Sequence, residues 1–310
     1  MNSKKLIALV LLVIQTTTLV LTLRYSRTRP VEGPRFLNST VVVIAEVVKL
    51  LCCILMILKS KGYSLRFTVD EILREVIGRP IETFKIAIPS GMYAIQNNLL
   101  FIALSYLDAP TYQVTYQLKI LSSAIFSVLL LGRSLNRLKW ISLVLLMGGV
   151  ALVQIPPENS EEKDPAYRWY GLFAIFCSCI SSGFAGVYFE KLLKRSNQSL
   201  WIRNVQMALF GTIFGGLTAY FTNYEEIRKD GIFQGYDHLT WFVVILHAVG
   251  GLLVSNVIKY ADNIVKSFAA SLSIVISSAV SYFMFNEFHP GPFFTIGTAV
   301  VLFSTVLYSK

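Results

Sequence analysis

The stretch YLDAPTYQVTYQLKILSSAIF (106–126) has a counterpart in YADNIVKSFAASLSIVISSAV (260–280). Both begin with Y-x-D, and the SSA triplet at 122–124 returns at 277–279, a shift of 155 residues. The chain has 310 residues, so this shift is half its length. The match therefore predicts two internal repeats of about equal size.

Apolar runs dominate the rest of the chain. Hydrophobic residues make up 54% of the sequence and charged residues only 15%, which is typical of an integral membrane protein. Runs long enough to cross a bilayer at 1.5 Å of rise per residue lie at 6–23, 39–58, 83–106, 111–131, 138–155, 169–190, 201–221, 239–258, 264–285 and 290–308.

The predicted fold is an all-α membrane protein with ten transmembrane helices. Each half, 1–155 and 156–310, holds five of the spans. Because five is odd, the second repeat must be inverted relative to the first, the construction of many secondary transporters. About twice as many Lys and Arg residues fall on the side of the N-terminus, which predicts cytosolic N- and C-termini.

Four lysines fall inside the predicted spans, where an uncompensated charge costs at least about 2.5 kcal/mol. Glu46 lies three residues before Lys49 on the same helical face, so an internal ion pair is favoured over ligand contact for Lys49. Lys85 lies within one turn of the start of its span and can reach the membrane surface. The other two, Lys119 and Lys266, have no such explanation.

Lys119 follows Thr111 by eight residues, which places it about 12 Å into a continuous helix. Tyr112 and Tyr116 share its face, with Gln113 and Gln117 alongside. Lys266 lies early in the corresponding helix of the other repeat, although the exact counterpart of Lys119 there is Ser273. The two lysines predict a cationic site at the repeat interface that binds an anion.

Tyr93, Gln96 and Asn97 form an i, i+3, i+4 face in the third span. An aromatic ring can stack on a base and amides can hydrogen-bond a base edge or sugar hydroxyls. A polar contact between helices explains the same pattern equally well. The sequence has no spacing typical of a metal site, a phosphate-binding glycine loop or a catalytic triad. It therefore predicts no cofactor and no metal, and the basic net charge is assigned to the membrane topology, not to nucleic acid.

Four blocks of sequence resemble the Golgi nucleotide-sugar transporters of the drug/metabolite transporter superfamily. They are AIPSGMYAIQNNLLFIALSYLDAPTYQVTYQLKI, SSGFAGVYFEKLLK, SLWIRNVQ and IKYADNIVKSFAASLSIVISS. The resemblance implies a multi-pass Golgi membrane protein that carries a nucleotide sugar from the cytosol into the lumen in exchange for a nucleoside monophosphate, by alternating access. It also leaves room for a homodimer.

The resemblance assigns the binding site residue by residue. Positions similar to the family's substrate-binding residues are Lys49, Tyr93, Asn97, Tyr112, Lys119, Asn204 and Lys266, with Gln96, Tyr116 and Gln117 nearby. Lys49 thereby becomes a binding residue as well as an ion-pair partner. Ser267 and Pro110 stand where the family more often has glycine and alanine.

The resemblance also favours a UDP-sugar over CMP-sialic acid, because Ala208 and Phe210 stand where CMP-sialic acid carriers have polar side chains. SLSI (271–274) likewise differs from the small residues of those carriers. Within the UDP-sugar carriers the sequence resembles the UDP-N-acetylglucosamine branch most, with UDP-galactose or several UDP-sugars as the alternative. UMP is then the expected counter-substrate.

Two other functions remain open from the residues. A membrane-embedded glycosyl- or phosphotransferase would also need cations for a diphosphate, but normally needs metal-binding acids too, and Glu46 is the one acid clearly within a predicted span. An exporter of small cationic or neutral metabolites is disfavoured by the two central lysines. We therefore expect a carrier, not an enzyme.

Overall fold

The computed structural model describes residues 3–31, 33–107, 112, 115–153, 165–285 and 292–309. Every regular element in these ranges is helical. In chain order the α-helices are α1 (Ser3–Thr28), α2 (Asn38–Ser60), α3 (Leu65–Ile72), α4 (Pro80–Tyr106), α5 (Leu118–Leu131), α6 (Arg137–Val153), α7 (Pro165–Arg195), α8 (Leu200–Asp230), α9 (His238–Tyr260), α10 (Asn263–Phe285) and α11 (Pro292–Ser309).

Within the described residues the predicted spans fall on helices, apart from the turn at Gln117, and the chain is a multi-span membrane protein. Five helices in the described ranges are long and apolar enough to cross a membrane; their apolar segments are Lys5–Leu23, Asn38–Ser60, Trp169–Arg195, Leu200–Asp230 and His238–Tyr260. The sequence did not predict α3, which continues as a π-helical turn over Leu73–Ile77.

The prediction of a continuous helix from Thr111 is wrong, because a turn at Gln117 interrupts the helix. Tyr116 is helical, Gln117 forms a turn, and α5 begins at Leu118. The amide of Ile120 donates to the Gln117 carbonyl at 2.9 Å, a bond of three-residue spacing that starts the helix. Lys119 therefore lies in the first turn of α5 and not two turns inside a helix. Asp108, Pro110 and Gln113 lie outside the described residues.

The helices form two compact units. The first contains Met1–Ala94 and Leu192–Tyr260, and the second contains Ile95–Lys191 and Ala261–Lys310. Each unit draws helices from both halves of the sequence, and the boundary falls within α4. The predicted division at residue 155 describes repeats and not these units, so it stays a prediction.

Each unit has apolar cores of its own. In the first unit, Val41 and Ala45 of α2 pack with Val243 and Val244 of α9, and a second cluster forms around Cys53. In the second unit, α5, α6, α10 and α11 share a core whose buried members include Leu143, Leu146, Val150, Phe268 and Val301. Close packing of α6 on α11 requires glycine, because a Cβ on Gly297 would lie 2.7 Å from the carbonyl oxygen of Gly149.

Candidate functional site

Two lysines of the second unit lie at the starts of two helices. Lys119 is in the first turn of α5 and Lys266 in the first turn of α10, where Asp262 accepts a hydrogen bond from the amide of Val265. The two ammonium groups are close enough for their charges to interact. Helix N-termini carry partial positive charge and attract anions. Both lysines therefore add full charges where the backbone is already positive.

Neither ammonium forms an ion pair with a carboxylate in the described ranges. Nζ of Lys119 instead lies 3.9 Å from the centroid of the Tyr116 ring, a cation–π contact. Such a contact leaves the N–H donors of the ammonium available for other acceptors. The pair of lysines is therefore suited to bind a multiply charged anion.

Polar groups of the second unit surround Tyr116. Gln96 donates from Nε2 to the Tyr116 hydroxyl at 2.9 Å, and the Tyr112 ring stacks on the Tyr116 ring with centroids 5.9 Å apart. Gln117 is buried at the break before α5. The Gln96 amide oxygen is buried and accepts no hydrogen bond from the described residues. Asn97 is exposed. The structure thus brings Gln96, Tyr112, Tyr116 and Lys119 together.

The other predicted site residues, Lys49, Tyr93 and Asn204, belong to the first unit. The expected ion pair is confirmed, because Nζ of Lys49 lies 2.5 and 2.7 Å from the two carboxylate oxygens of Glu46. Glycines on two neighbouring helices make room for the pair. A Cβ on Gly211 would lie 2.7 Å from Oε2 of Glu46, and one on Gly251 would lie 3.0 Å from Cδ of Lys49.

Asn204 is buried with both ends of its amide in use. Its Nδ2 donates to the carbonyl of Leu200 at 2.9 Å, and its Oδ1 accepts from the Ser255 hydroxyl at 2.7 Å. Tyr93 is half-buried in α4. Of these three residues, Asn204 needs a local rearrangement to contact a ligand through its side chain.

A buried acid at the end of α7 was missed from the sequence. Glu190 is fully buried, accepts from Nη2 of Arg133 at 2.5 Å, and accepts from the backbone amide of Asn263 at 3.0 Å. Asn263 opens α10, so Glu190 fixes the helix start that carries Lys266. In the sequence, Glu190 could have been recognised as an acid at the end of an apolar run. Gly186, one turn earlier, leaves room for Asn263, because a Cβ added there would lie 2.5 Å from the Asn263 side chain.

A buried arginine was also missed. Arg203 of α8 donates to the Glu82 carboxylate at 2.8 Å, to the Glu82 carbonyl at 3.0 Å and to Gln206 at 3.2 Å. Hydrogen bonds from Lys85 and then from Arg203 lower the pKa of the Glu82 carboxyl from its ordinary value. This network ties the start of α4 to α8 within the first unit.

Comparison with solved structures shows the fold. One solved crystal structure of a protein aligns with a TM-score of 0.72, over 100% of this chain and 98% of the other, at 13% sequence identity. At that identity the likeness concerns the fold alone.

Comparison with known sequences shows the family. The model of the nucleotide-sugar transporter family matches residues 1–309. The UDP-N-acetylglucosamine transporter of Rattus norvegicus is 53% identical over 309 residues, covering 98% of this chain and 94% of the relative. The UDP-galactose translocator of Mus musculus is 47% identical over 307 residues, covering 98% and 78%. The chain belongs to the nucleotide-sugar transporter family.

Proposed function

We propose that the chain is a Golgi antiporter that exchanges a cytosolic UDP-sugar for luminal UMP, with UDP-N-acetylglucosamine as the first choice of sugar nucleotide. The observation that carries the proposal is the pair Lys119 and Lys266, which lie at two helix starts and form no ion pair in the described part of the chain. The carboxylate of Glu190 also acts on the charge of Lys266, but Lys119 has no such neighbour among the described residues. Family membership supports a carrier over a transferase. The chain is more similar to the rat UDP-N-acetylglucosamine transporter than to the mouse UDP-galactose translocator, which supports UDP-N-acetylglucosamine before UDP-galactose as its substrate.

The chemistry of the counter-substrate fits this pair of lysines. UMP carries close to two negative charges near neutral pH because its second phosphate pKa is about 6. Two ammonium groups neutralise that charge and lower the cost of moving it through a medium of low dielectric. Gln96, Tyr112 and Tyr116 then bind the parts of the nucleotide nearest the phosphate.

The same pair explains exchange rather than one-way transport. Without an anion, two cations repel each other in a membrane interior, so closing the site around them is unfavourable. A bound nucleotide removes this penalty in both directions. The site therefore changes its access from one side of the membrane to the other only with a nucleotide bound.

We also propose the arrangement of the helices. Ten transmembrane helices form two inverted five-helix repeats, with the N- and C-termini in the cytosol, and alternating access arises as the repeats rock. Lys49, Tyr93, Asn97, Asn204 and Gln117 are proposed as further substrate-binding residues: all but Gln117 are similar to the family's binding positions, and Gln117 lies nearby in the sequence. The homodimer stays a prediction.

The test is a panel of nucleotide sugars with purified protein in liposomes. Vesicles loaded with UMP should take up intact labelled UDP-N-acetylglucosamine faster than empty vesicles, and UDP-sugars should compete better than CMP-sialic acid. CMP-sialic acid as the best competitor would exclude the UDP-sugar assignment. Cleavage of labelled UDP-sugar without UMP-dependent uptake would overturn the carrier in favour of a transferase.

A further inference from the structure

The connection between α2 and α4 contains a helix that packs on one side only. Thr68 and Val76 are buried, and the π-helical turn is tied to α8 through the Glu75 carbonyl, which accepts from Nε2 of Gln198 at 3.1 Å and of Gln206 at 3.3 Å. This segment, Leu65–Ile77, is therefore a fixed part of the first unit. We refer to it as the connecting helix.

An apolar stripe runs along the outer side of the connecting helix. Leu65, Val69, Leu73 and Ile77 recur at intervals of four residues, with exposed fractions from 47% for Leu73 to 70% for Leu65. A stripe of large apolar side chains in water is unfavourable. The connection joins two helices assigned to the membrane, and lipid at the membrane surface would remove this cost.

The outward-facing charge beside the stripe is basic. Arg74 and Arg79 both pair with Glu75, but their side chains are 70% and 52% exposed while that of Glu75 is 12% exposed. Lys61 is likewise more exposed than its partner Glu71. Glu71 and Glu75 are thus more buried than the basic residues paired with them.

Arg66 adds a further basic group in the row next to the stripe, at a spacing of eight residues from Arg74. It forms no ion pair with any residue that the structure describes. Asp70, between the two arginines, is an exposed acid. The helix thus combines an apolar stripe with adjacent exposed arginines, as interfacial membrane helices do.

We propose that the connecting helix lies in the cytosolic membrane interface and binds anionic phospholipid. Leu65, Val69, Leu73 and Ile77 insert among acyl chains, while Arg66 and Arg74 contact headgroup phosphates. The connection lies on the side of the N-terminus, which is predicted to be cytosolic, where anionic lipids are enriched. Through Glu75 the bound lipid fixes the start of α8, which carries Arg203 and Asn204.

The contribution of the two arginines to lipid binding is tested on the whole 310-residue chain in uncharged detergent. Dioctanoyl phosphatidylserine and dioctanoyl phosphatidylcholine are titrated, and the midpoint of thermal unfolding reports binding. We expect phosphatidylserine to bind more tightly, and Arg66→Gln with Arg74→Gln to weaken it about 25-fold, since each basic group contributes about fivefold. As a control, Lys194→Gln with Arg195→Gln removes the same amount of charge on the same predicted side of the membrane. This variant should bind phosphatidylserine as tightly as wild type. Equal binding of both lipids, or wild-type affinity in the arginine variant, would refute the proposal.

The apolar contribution is tested by photolabelling in vesicles of phosphatidylcholine and phosphatidylserine. A benzophenone amino acid replaces Leu73 in one protein and Asp70, on the polar row, in another. We expect phospholipid adducts, detected by mass, at position 73 and few at position 70. Equal labelling at both positions, or no lipid adduct at 73, contradicts insertion of the stripe. Neither test measures transport, so their outcome does not depend on which nucleotide sugar is carried.

Discussion

Nζ of Lys119 lies over the ring of Tyr116, 3.9 Å from its centroid. The Tyr116 hydroxyl in turn accepts a hydrogen bond from Gln96, which fixes the ring. This arrangement differs from that of Lys49, whose charge is matched by Glu46 within its own helix. The ring holds the Lys119 ammonium in place without neutralising it, so a phosphate can bind without displacing a carboxylate.

Two substitutions of Tyr116 distinguish the contribution of its ring to UMP binding from that of its hydroxyl. Tyr116→Phe keeps the face under Lys119, so UMP affinity should remain within about threefold, the value of one neutral hydrogen bond at its low end. Tyr116→Leu removes the cation–π contact and should weaken UMP about threefold to tenfold further. Isothermal titration of the purified variants measures both. Equal affinities for the two variants would show that the ring has no part in presenting the lysine.

Glu190 should be a major contributor to stability. Glu190→Ala leaves the Arg133 guanidinium and the Asn263 amide without their buried acceptor and should cost about 3 to 5 kcal/mol. Glu190→Gln keeps an acceptor for the amide and should cost less. The midpoints of thermal unfolding in detergent rank the stabilities of the two variants and wild type. Glu225→Gln, at an exposed acid, is the control and should leave the midpoint unchanged. A Glu190→Ala protein as stable as wild type would mean that this network is unimportant.

Adjacent glycines of α6 should respond oppositely to alanine. A Cβ on Gly149 would lie 3.0 Å from the backbone nitrogen of Val301, whereas one on Gly148 meets nothing within 4 Å. Gly149→Ala should therefore destabilise the protein by about 1 to 3 kcal/mol. Gly148→Ala should be neutral, or stabilising by up to about 1 kcal/mol, through helix propensity. Thermal midpoints of the two variants provide the check, and similar values would contradict the close packing of α6 on α11.

Stability at acid pH should depend on Asp237, which precedes α9. Burial raises its pKa, but hydrogen bonds from Arg29 and Thr240 outweigh this and lower the pKa from 3.8 to about 2. A depressed pKa stabilises the folded state above the unfolded value, and this contribution is lost as pH falls towards 2. Between about pH 5 and pH 3, the thermal midpoint of wild type should therefore fall more than that of Asp237→Asn. Parallel curves for the two proteins would show that the ion pair with Arg29 does not stabilise the fold.

Local patterns in the sequence predicted the helices and the pair of Glu46 and Lys49. Hydropathy locates long apolar helices, and a spacing of three residues places two side chains on one face. The contacts of Glu190 and Arg203 were not predictable, because their partners Arg133 and Glu82 lie 57 and 121 residues away in the chain. The break at Gln117 was missed since the polar residues around it fit a helical face equally well.

The connecting helix was missed for a different reason. It is short, and its stripe of Leu65, Val69 and Leu73 is mixed with charged residues, so its mean hydropathy does not reach that of a span. Its packing on α2 and α8 shows which face is covered. Among the site residues, the neighbouring rings of Tyr112 and Tyr116 follow the four-residue spacing read from the sequence. The hydrogen bond from Gln96 to Tyr116, the exposure of Asn97 and the saturated amide of Asn204 depend on tertiary contacts.

The affinity of Lys119→Gln for UMP and for uridine tests the central claim most directly. The substitution keeps a polar side chain, slightly shorter than lysine, and removes the charge, and uridine lacks the phosphate that Lys119 is proposed to bind. We predict that UMP affinity falls about 10- to 150-fold, corresponding to about 1.5 to 3 kcal/mol for hydrogen bonds to a charged group. Uridine affinity should stay within about twofold of wild type. Unchanged affinity for UMP, or an equal loss for UMP and uridine, would contradict a phosphate site at Lys119.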